Sequence, residues 1–284
     1  MKKLALLLAA LGVVSAAAYA APELTVTNVG QEVEIEHTNG SEDTTAWLYN
    51  NVGLAYGDWS FGFQGAKQWN YDDKDSKADP DKGISSNNNR IQFDAWKKIN
   101  DNLKLGFRYR GQKDMDRFMA RYDFNYGMFL SAGDFWYQFN NNNAEDNIEM
   151  EWFPIGVKIG PVTAKYLLNY VEFNNPVDNK ESYTEHQLRL YAPLYKWDRL
   201  SLSTEARITL HAEQDMVNDT KYTAWEDFGR NRLYLKANYA VSEDLNVYVN
   251  YAYELTEKEG RNGEKDPEST GNYQNLTFGW SYKF

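Results

Sequence analysis

Residues 276–284, at the C-terminal end of the chain, alternate strictly between apolar and polar side chains. The residues between the apolar ones are small or polar, and a period of two is typical of a β-strand with one apolar face. The apolar face continues to the terminal carboxylate, where most chains fray. Any fold proposed for this chain must therefore place an apolar strand face at the very end of the sequence. The apolar residues are Leu276, Phe278, Trp280, Tyr282 and Phe284.

This terminal pattern resembles the last strand of bacterial outer-membrane β-barrels, which end in Phe with aromatic residues at alternate preceding positions. The resemblance implies that the strand closes a barrel and that the barrel-assembly machinery recognises it. The residues of that assembly signal would be Phe278, Trp280, Tyr282 and Phe284. An edge strand of a soluble β-sandwich is the alternative, and the rest of the chain decides between the two.

The N-terminal residues 1–20 have the composition of a secretory signal peptide. Lys2 and Lys3 precede a short apolar run, and residues 18–20 (Ala-Tyr-Ala) form a small-x-small cleavage site. The remaining residues, 21–284, contain no Pro/Ser-rich linker that would divide them. We therefore expect a cleaved signal followed by a single domain.

Composition narrows the class of protein. Aromatic residues make up 15% of the chain, including 21 Tyr and 9 Trp, whereas disordered chains contain few. No apolar run of ~18 residues predicts a membrane helix. A polar chain rich in Tyr and Trp is typical of a transmembrane β-barrel with aromatic girdles. The absence of Cys excludes disulfides, and the net charge of −11 argues against a nucleic-acid partner.

Fourteen segments of alternating polarity follow one another along the mature chain. The connections after even-numbered segments are short, as at 57–58 and 100–102, and most of those after odd-numbered segments are longer and polar. Bacterial outer-membrane barrels have an even strand count, short periplasmic turns and longer external loops. The sequence therefore predicts an all-β, antiparallel up-and-down transmembrane barrel of about 14 strands in the outer membrane of a Gram-negative cell. Twelve strands remain the alternative if segment one or part of segment eight is misread.

Details of the segments are also predicted. We expect longer, polar connections at 72–88, 174–182, 213–223 and 257–271, and a short connection at 193–198. Changes of phase predict β-bulges near Gly133 and at Pro154.

Charged residues collect on the polar face of the segments. A charge facing lipid at mid-membrane costs roughly 2–4 kcal/mol, so we place these residues in the lumen. The predicted basic lining comprises Arg90, Lys104, Arg108, Arg110, Arg117, Arg121, Arg189, Arg207, Arg232 and Lys236. The predicted acidic lining comprises Glu32, Glu34, Glu36, Asp94, Asp123, Glu149, Glu151, Glu205 and Glu254.

The size of the predicted barrel favours a water-filled pore. About eight strands enclose an interior that side chains can fill, whereas sixteen to eighteen leave an aqueous channel. Within the lumen, basic residues around Arg108 and Arg110 facing acidic ones would bias which ions pass. Alternatively, wall salt bridges, such as Asp94 with Arg108 or Lys104 with Asp123, stiffen the barrel without selecting solutes.

No enzymatic motif is found in the sequence. The only histidines are His37, His186 and His211, and neither a catalytic triad spacing, a metal cluster nor a phosphate loop accompanies them. We therefore expect no enzyme activity, no metal and no cofactor. The stronger alternative to a pore is a barrel that acts through its surface loops as an adhesin or structural protein.

As a whole, the mature chain resembles Gram-negative porins of the single-chain, fourteen-stranded kind. Its signal and aromatic-rich strands are also similar to those of fusobacterial major outer-membrane proteins. The resemblance implies passive diffusion of ions and small hydrophilic solutes across the outer membrane. The implied partners are membrane lipid, the assembly machinery and the solutes, and the sequence leaves a monomer and a trimer equally open.

Overall fold

The computed structural model describes residues 22–38, 43–72, 83–141, 145–174, 180–216, 221–225, 227–257 and 270–284. The predicted signal peptide, residues 1–20, lies outside the described residues. Among those described, no helix is long and apolar enough to span a bilayer. The strands are β1 (Thr25–Thr38), β2 (Asp43–Tyr56), β3 (Trp59–Asp72), β4 (Ile84–Lys98), β5 (Leu103–Gln112), β6 (Met115–Tyr126), β7 (Phe129–Asn140), β8 (Asn147–Ile159), β9 (Val162–Phe173), β10 (Lys180–Trp197), β11 (Leu200–Met216), β12 (Lys221–Trp225), β13 (Arg230–Ala240), β14 (Leu245–Glu257) and β15 (Thr270–Lys283).

Fourteen of these strands close into one antiparallel barrel. Each pairs with its neighbours in the chain, β11 pairs with β13, and the last strand, β15, pairs with β1. The predicted count of fourteen is confirmed and the twelve-strand alternative is wrong. The short β12 is an addition that the sequence did not predict. It pairs only with the far end of β11, from Ala212 opposite Trp225 to Asp215 opposite Lys221.

The short turns after β2, β4, β6, β8, β10 and β13 lie at one end of the barrel, where the first and last described residues also lie, whereas the two-residue turn between β5 and β6, residues 113–114, lies at the opposite end. Gly127 and Gly160 occupy two of these turns with φ of 58°. This left-handed conformation is costly for residues with a Cβ, so glycine fits these tight reversals. The predicted alternation of short and longer connections thus corresponds to the two ends of the barrel.

Several predicted connections are shorter in the structure. β4 already begins at Ile84, β10 begins at Lys180 and continues to Trp197, and β11 runs to Met216. The predicted connections at 72–88, 174–182 and 213–223 are therefore wrong in their bounds, because polar residues occupy paired strand positions there. The predicted connection at 193–198 is also wrong in its bounds, because β10 stays paired with β11 as far as Trp197. Part of each remaining long connection lies outside the described residues, as does most of 257–271.

Bulges keep the apolar face outside along bent strands. The register between β8 and β9 shifts between Trp152 and Ile155, which confirms the bulge predicted at Pro154. The bulge predicted near Gly133 is wrong, because β6 and β7 pair there without a shift and the β7–β8 irregularity lies between Leu130 and Ala132. Outward-facing apolar side chains are consequently exposed around the whole barrel.

The seam between β1 and β15 is closely packed. Gly279 of β15 lies opposite Glu32 of β1, and a Cβ added to Gly279 would lie 2.5 Å from the backbone oxygen of Gln31. Gly30 is similarly restricted by the backbone oxygen of Trp280, at 2.6 Å. Glycines on both strands thus allow the close approach that closes the barrel.

Candidate functional site: the charged lumen

The inner face of the barrel can be identified from contacts that pass over an intervening strand. Arg121 of β6 reaches Asp94 of β4 at 2.9 Å, and the Tyr248 hydroxyl of β14 donates to Glu32 of β1 at 2.7 Å. Side chains meet in this way only on the concave side of a curved sheet. The strand registers place all the basic and acidic residues predicted to line the lumen on this same face.

A chain of ion pairs crosses β4 to β7. The Arg108 guanidinium lies 2.6 Å from Asp94, and Arg121 connects Asp94 to Asp134 at 2.9 and 2.7 Å. The Asp94–Arg108 bridge is therefore present. The other bridge considered from the sequence is not formed: Lys104 and Asp123 are cross-strand partners but make no ion pair within 4 Å.

Three arginines lie next to this chain of ion pairs, on its side away from the turns at Gly127 and Gly160. We call them the arginine cluster: Arg90, Arg110 and Arg117. Their guanidinium groups donate to neutral acceptors instead of carboxylates. Arg110 Nε donates to Gln92 at 2.8 Å and Arg117 Nε to Gln138 at 3.0 Å.

Arg90 of the cluster is held in the same neutral way. With the Gln112 amide oriented so that its oxygen faces the guanidinium, Arg90 donates to that oxygen from Nε and Nη2, both at 2.8 Å, and it donates from Nη1 to the Tyr49 hydroxyl at 3.3 Å. Its guanidinium also stacks 4.5 Å from the ring centre of Trp47. The cluster is thus oriented without being neutralised.

Three glutamates of β1 form a corresponding acidic ladder: Glu32, Glu34 and Glu36. Tyrosine hydroxyls donate to each of them, from Tyr248 to Glu32, from Tyr49 to Glu34 at 2.8 Å and from Tyr273 to Glu36. The described residues supply no lysine or arginine within 4 Å of the ladder. Its charge is therefore also left without a counter-charge in contact.

On the wall formed by β8 to β14, as in the chain across β4 to β7, carboxylates contact guanidiniums directly, unlike the arginine cluster and the acidic ladder. The carboxylate of Glu254 lies 2.7 Å from Arg232 and 3.3 Å from Arg230, and Arg230 also reaches Glu185 at 3.2 Å. Further pairs are Glu205 with Arg207 and with Lys236, and Glu151 with Arg189. Glu185 and Arg230 were not among the predicted lumen residues, although period two along β10 and β13 places them on the inner face.

Side chains narrow the lumen on this paired side. Thr209, Leu167 and Glu185 are 0%, 1% and 1% exposed, although they face inward. A cavity of about 110 Å³ remains among the charged groups there. A larger cavity of about 330 Å³ lies along β1 to β4, with Gln64, Gln92 and Asp94 among its polar lining residues. Side chains thus fill part of the interior on the side of β8 to β14.

The histidines lie outside the lumen. His37 is on the face of β1 opposite to the acidic ladder, and His186 pairs with His211 on the outer face of β10 and β11. The Tyr166 hydroxyl contacts His186, and Asp227 lies 2.8 Å from His211 Nδ1. In the described part of the chain no group of side chains is arranged to hold a metal ion.

Comparisons with known proteins agree with this architecture. No protein-family model matches the sequence, and no curated protein sequence is similar to it. The structure is similar to a bacterial polysaccharide outer membrane secretin, with a TM-score of 0.54 and 8% identity over 91% of this chain and 98% of that chain. It also matches OmpT of Vibrio cholerae (TM-score 0.46, 14% identity, 95% of this chain and 99% of that chain) and an anion-selective porin from Comamonas acidovorans (0.45, 12%, 92% and 100%).

At these identities the likeness shows the fold. The chain is an outer-membrane β-barrel, as the C-terminal strand predicted. The same architecture, with its apolar outer surface, confirms the predicted location in the outer membrane. The similarity to fusobacterial major outer-membrane proteins stays a prediction.

Proposed function

We propose that this barrel is a porin, a channel through which ions and small hydrophilic solutes diffuse passively across the outer membrane. The observation that carries the proposal is the inner face, where charged and amide side chains continue from strand to strand around the closed sheet. Charges in such a position need water or partners, and among the described residues those of the arginine cluster and the acidic ladder have no ionic partner within 4 Å. Water in the lumen is the simplest source of solvation.

The size of the cavities limits what the channel passes. Charged side chains on the wall formed by β8 to β14 leave only about 110 Å³ between them, while the side of β1 to β4 retains about 330 Å³. We therefore propose passage along the β1 to β6 side, beside the arginine cluster and the acidic ladder. The solutes would be inorganic ions and small polar molecules.

We propose passage without catalysis, because the three histidines face outward, away from the proposed passage. The proposed partners are membrane lipid, the solutes and the barrel-assembly machinery, which would act on β15. A monomer and a trimer are both compatible with the proposal.

Planar-bilayer recording of the refolded protein tests this function. We expect stepwise conductance and, across a salt gradient, a reversal potential that reports ion preference. Liposome swelling with sugars of increasing size gives the size limit. The same preparation left unfolded in urea serves as the control. Folded protein that produces neither conductance nor swelling would contradict the channel and favour the adhesin or structural alternative.

A further inference from the structure

The arginine cluster places like charges next to each other. Arg110 of β5 and Arg117 of β6 are direct cross-strand partners, and like charges in this position are destabilising. Arg90 lies on the neighbouring strand β4, whose Gln92 pairs with Arg110. A barrel wall gains no stability from this arrangement.

The neutral partners of the cluster fix its geometry. Gln92, Gln112 and Gln138 each accept a hydrogen bond from one of the arginines. Trp136 stacks under Arg117, 4.8 Å from the ring centre to the guanidinium carbon. Amide oxygens and aromatic faces orient a guanidinium but leave its full positive charge available to a third group.

Donor groups of the cluster remain free. Arg110 makes one hydrogen bond to a side chain of the described residues, through Nε to Gln92, so its Nη groups have no acceptor there. Carboxylates attract the cluster only from a distance: Glu149 and Glu151 of β8 act on Arg117, and Glu34 is separated from Arg90 by the Tyr49 hydroxyl. A planar guanidinium with free Nη groups presents the fork that binds oxyanions in bidentate fashion.

We propose that the arginine cluster is a binding site for small multivalent oxyanions, of which inorganic phosphate is the simplest case. This inference rests on the proposed channel and names a solute class for it. The anion binds between the Nη groups of Arg110 and the guanidiniums of Arg90 and Arg117, and it relieves the repulsion among them. Multivalent oxyanions then occupy the lumen more strongly than chloride.

Block of chloride current by phosphate tests the site. In the wild-type channel, added phosphate is expected to lower the chloride current. Arg110→Gln keeps a polar side chain but removes the charge and the fork, so we expect the half-blocking concentration to rise about tenfold or more, the change that corresponds to ~1.4 kcal/mol of binding free energy. Arg110→Lys retains the charge but not the fork, so its half-blocking phosphate concentration should lie between those of wild type and Arg110→Gln.

The matched control is Arg207→Gln. Arg207 also faces the lumen, but Glu205 already neutralises it at 2.7 Å. This variant changes the net charge of the lumen equally and should leave phosphate block within about twofold of wild type. If Arg207→Gln and Arg110→Gln weaken phosphate block equally, the net charge of the lumen attracts the anion, and the proposed site is overturned. A wild-type current insensitive to phosphate would overturn it as well.

A binding measurement separates this inference from the channel itself. In detergent, phosphate should raise the melting temperature of the wild-type barrel above its value in chloride at equal ionic strength, because a ligand that binds only the folded state stabilises it. Arg110→Gln should lose this shift while still folding. The shift would be observed even if the barrel conducted no current, whereas conductance without any shift or block would leave the channel standing and refute the site.

Discussion

Removal of the Glu254 carboxylate should destabilise the barrel by disrupting the paired wall. The carboxylate accepts from Arg232 Nε at 2.7 Å and lies 3.3 Å from Arg230 Nε. Its side chain is 8% exposed, so water does not replace these contacts easily. Glu254→Ala leaves two inward guanidiniums, two residues apart on β13, with one fewer counter-charge.

The magnitude follows from the two contacts. A hydrogen bond to a charged group contributes ~1.5–3 kcal/mol, which applies to the short Arg232 contact. Arg230 is 28% exposed and keeps its contact with Glu185, so its loss is discounted to the ~0–1 kcal/mol of a solvated pair. Together these give about 1.5–4 kcal/mol for Glu254→Ala. Glu254→Gln retains one acceptor for Arg232 and should cost about half as much.

Urea unfolding of the barrel refolded in lipid vesicles, followed by tryptophan fluorescence, measures this change. The denaturant midpoint should fall with an unchanged slope, which indicates that the same surface is exposed on unfolding. Glu243→Gln, in the exposed turn before β14, is the matched control and should stay within ~0.5 kcal/mol of wild type. If Glu254→Ala and this control unfold at the same urea concentration, the reasoning that the paired wall contributes to stability is refuted.

One deletion and two further substitutions test the seam and the arginine cluster. Deletion of Phe284 should lower the fraction of folded barrel in membranes, measured by heat-dependent electrophoretic mobility, while each folded barrel keeps its normal conductance. Gly279→Ala should cost ~1–3 kcal/mol because the new Cβ meets the Gln31 backbone oxygen, and Gly65→Ala, with no atom within 4 Å, is its control in urea unfolding. In the same assay, Arg110→Gln should stabilise the phosphate-free barrel by ~0.2–1 kcal/mol, because it removes repulsion among the three arginines. A destabilisation of ~0.2–1 kcal/mol would contradict the claim that these arginines repel one another.

The faces of the strands could be predicted from sequence because lipid and water impose them one residue at a time. Leu276 and Phe278 alternate with Thr277 and Gly279, and β15 shows this same division in the structure. The turns were equally local signals, carried by residues such as Gly127. Strand ends were harder to predict, because near the rim polar residues such as Lys180 pair in the sheet without any apolar face to indicate it.

The contacts inside the lumen could not be predicted in this way. Whether Arg121 reaches Asp94 or Arg230 reaches Glu185 depends on barrel curvature and on the relative height of strands that are not adjacent. These quantities are set by the closed sheet as a whole. For the same reason, the sequence did not show that Leu167 lies among inward charged residues and fills space between them.

The two accounts of the luminal charges that the sequence left open apply to different parts of the barrel. On the wall formed by β8 to β14, and in the chain of ion pairs across β4 to β7, carboxylates contact guanidiniums directly, so their charges cancel locally and stiffen the wall. Between β1 and β4 the Tyr49 hydroxyl donates to Glu34 at 2.8 Å and accepts from Arg90 at 3.3 Å, and so keeps opposite charges apart. Separated charges sustain a field across the space between them, whereas paired charges do not. Discrimination among ions should therefore depend on the β1 to β6 side, and stability on the other.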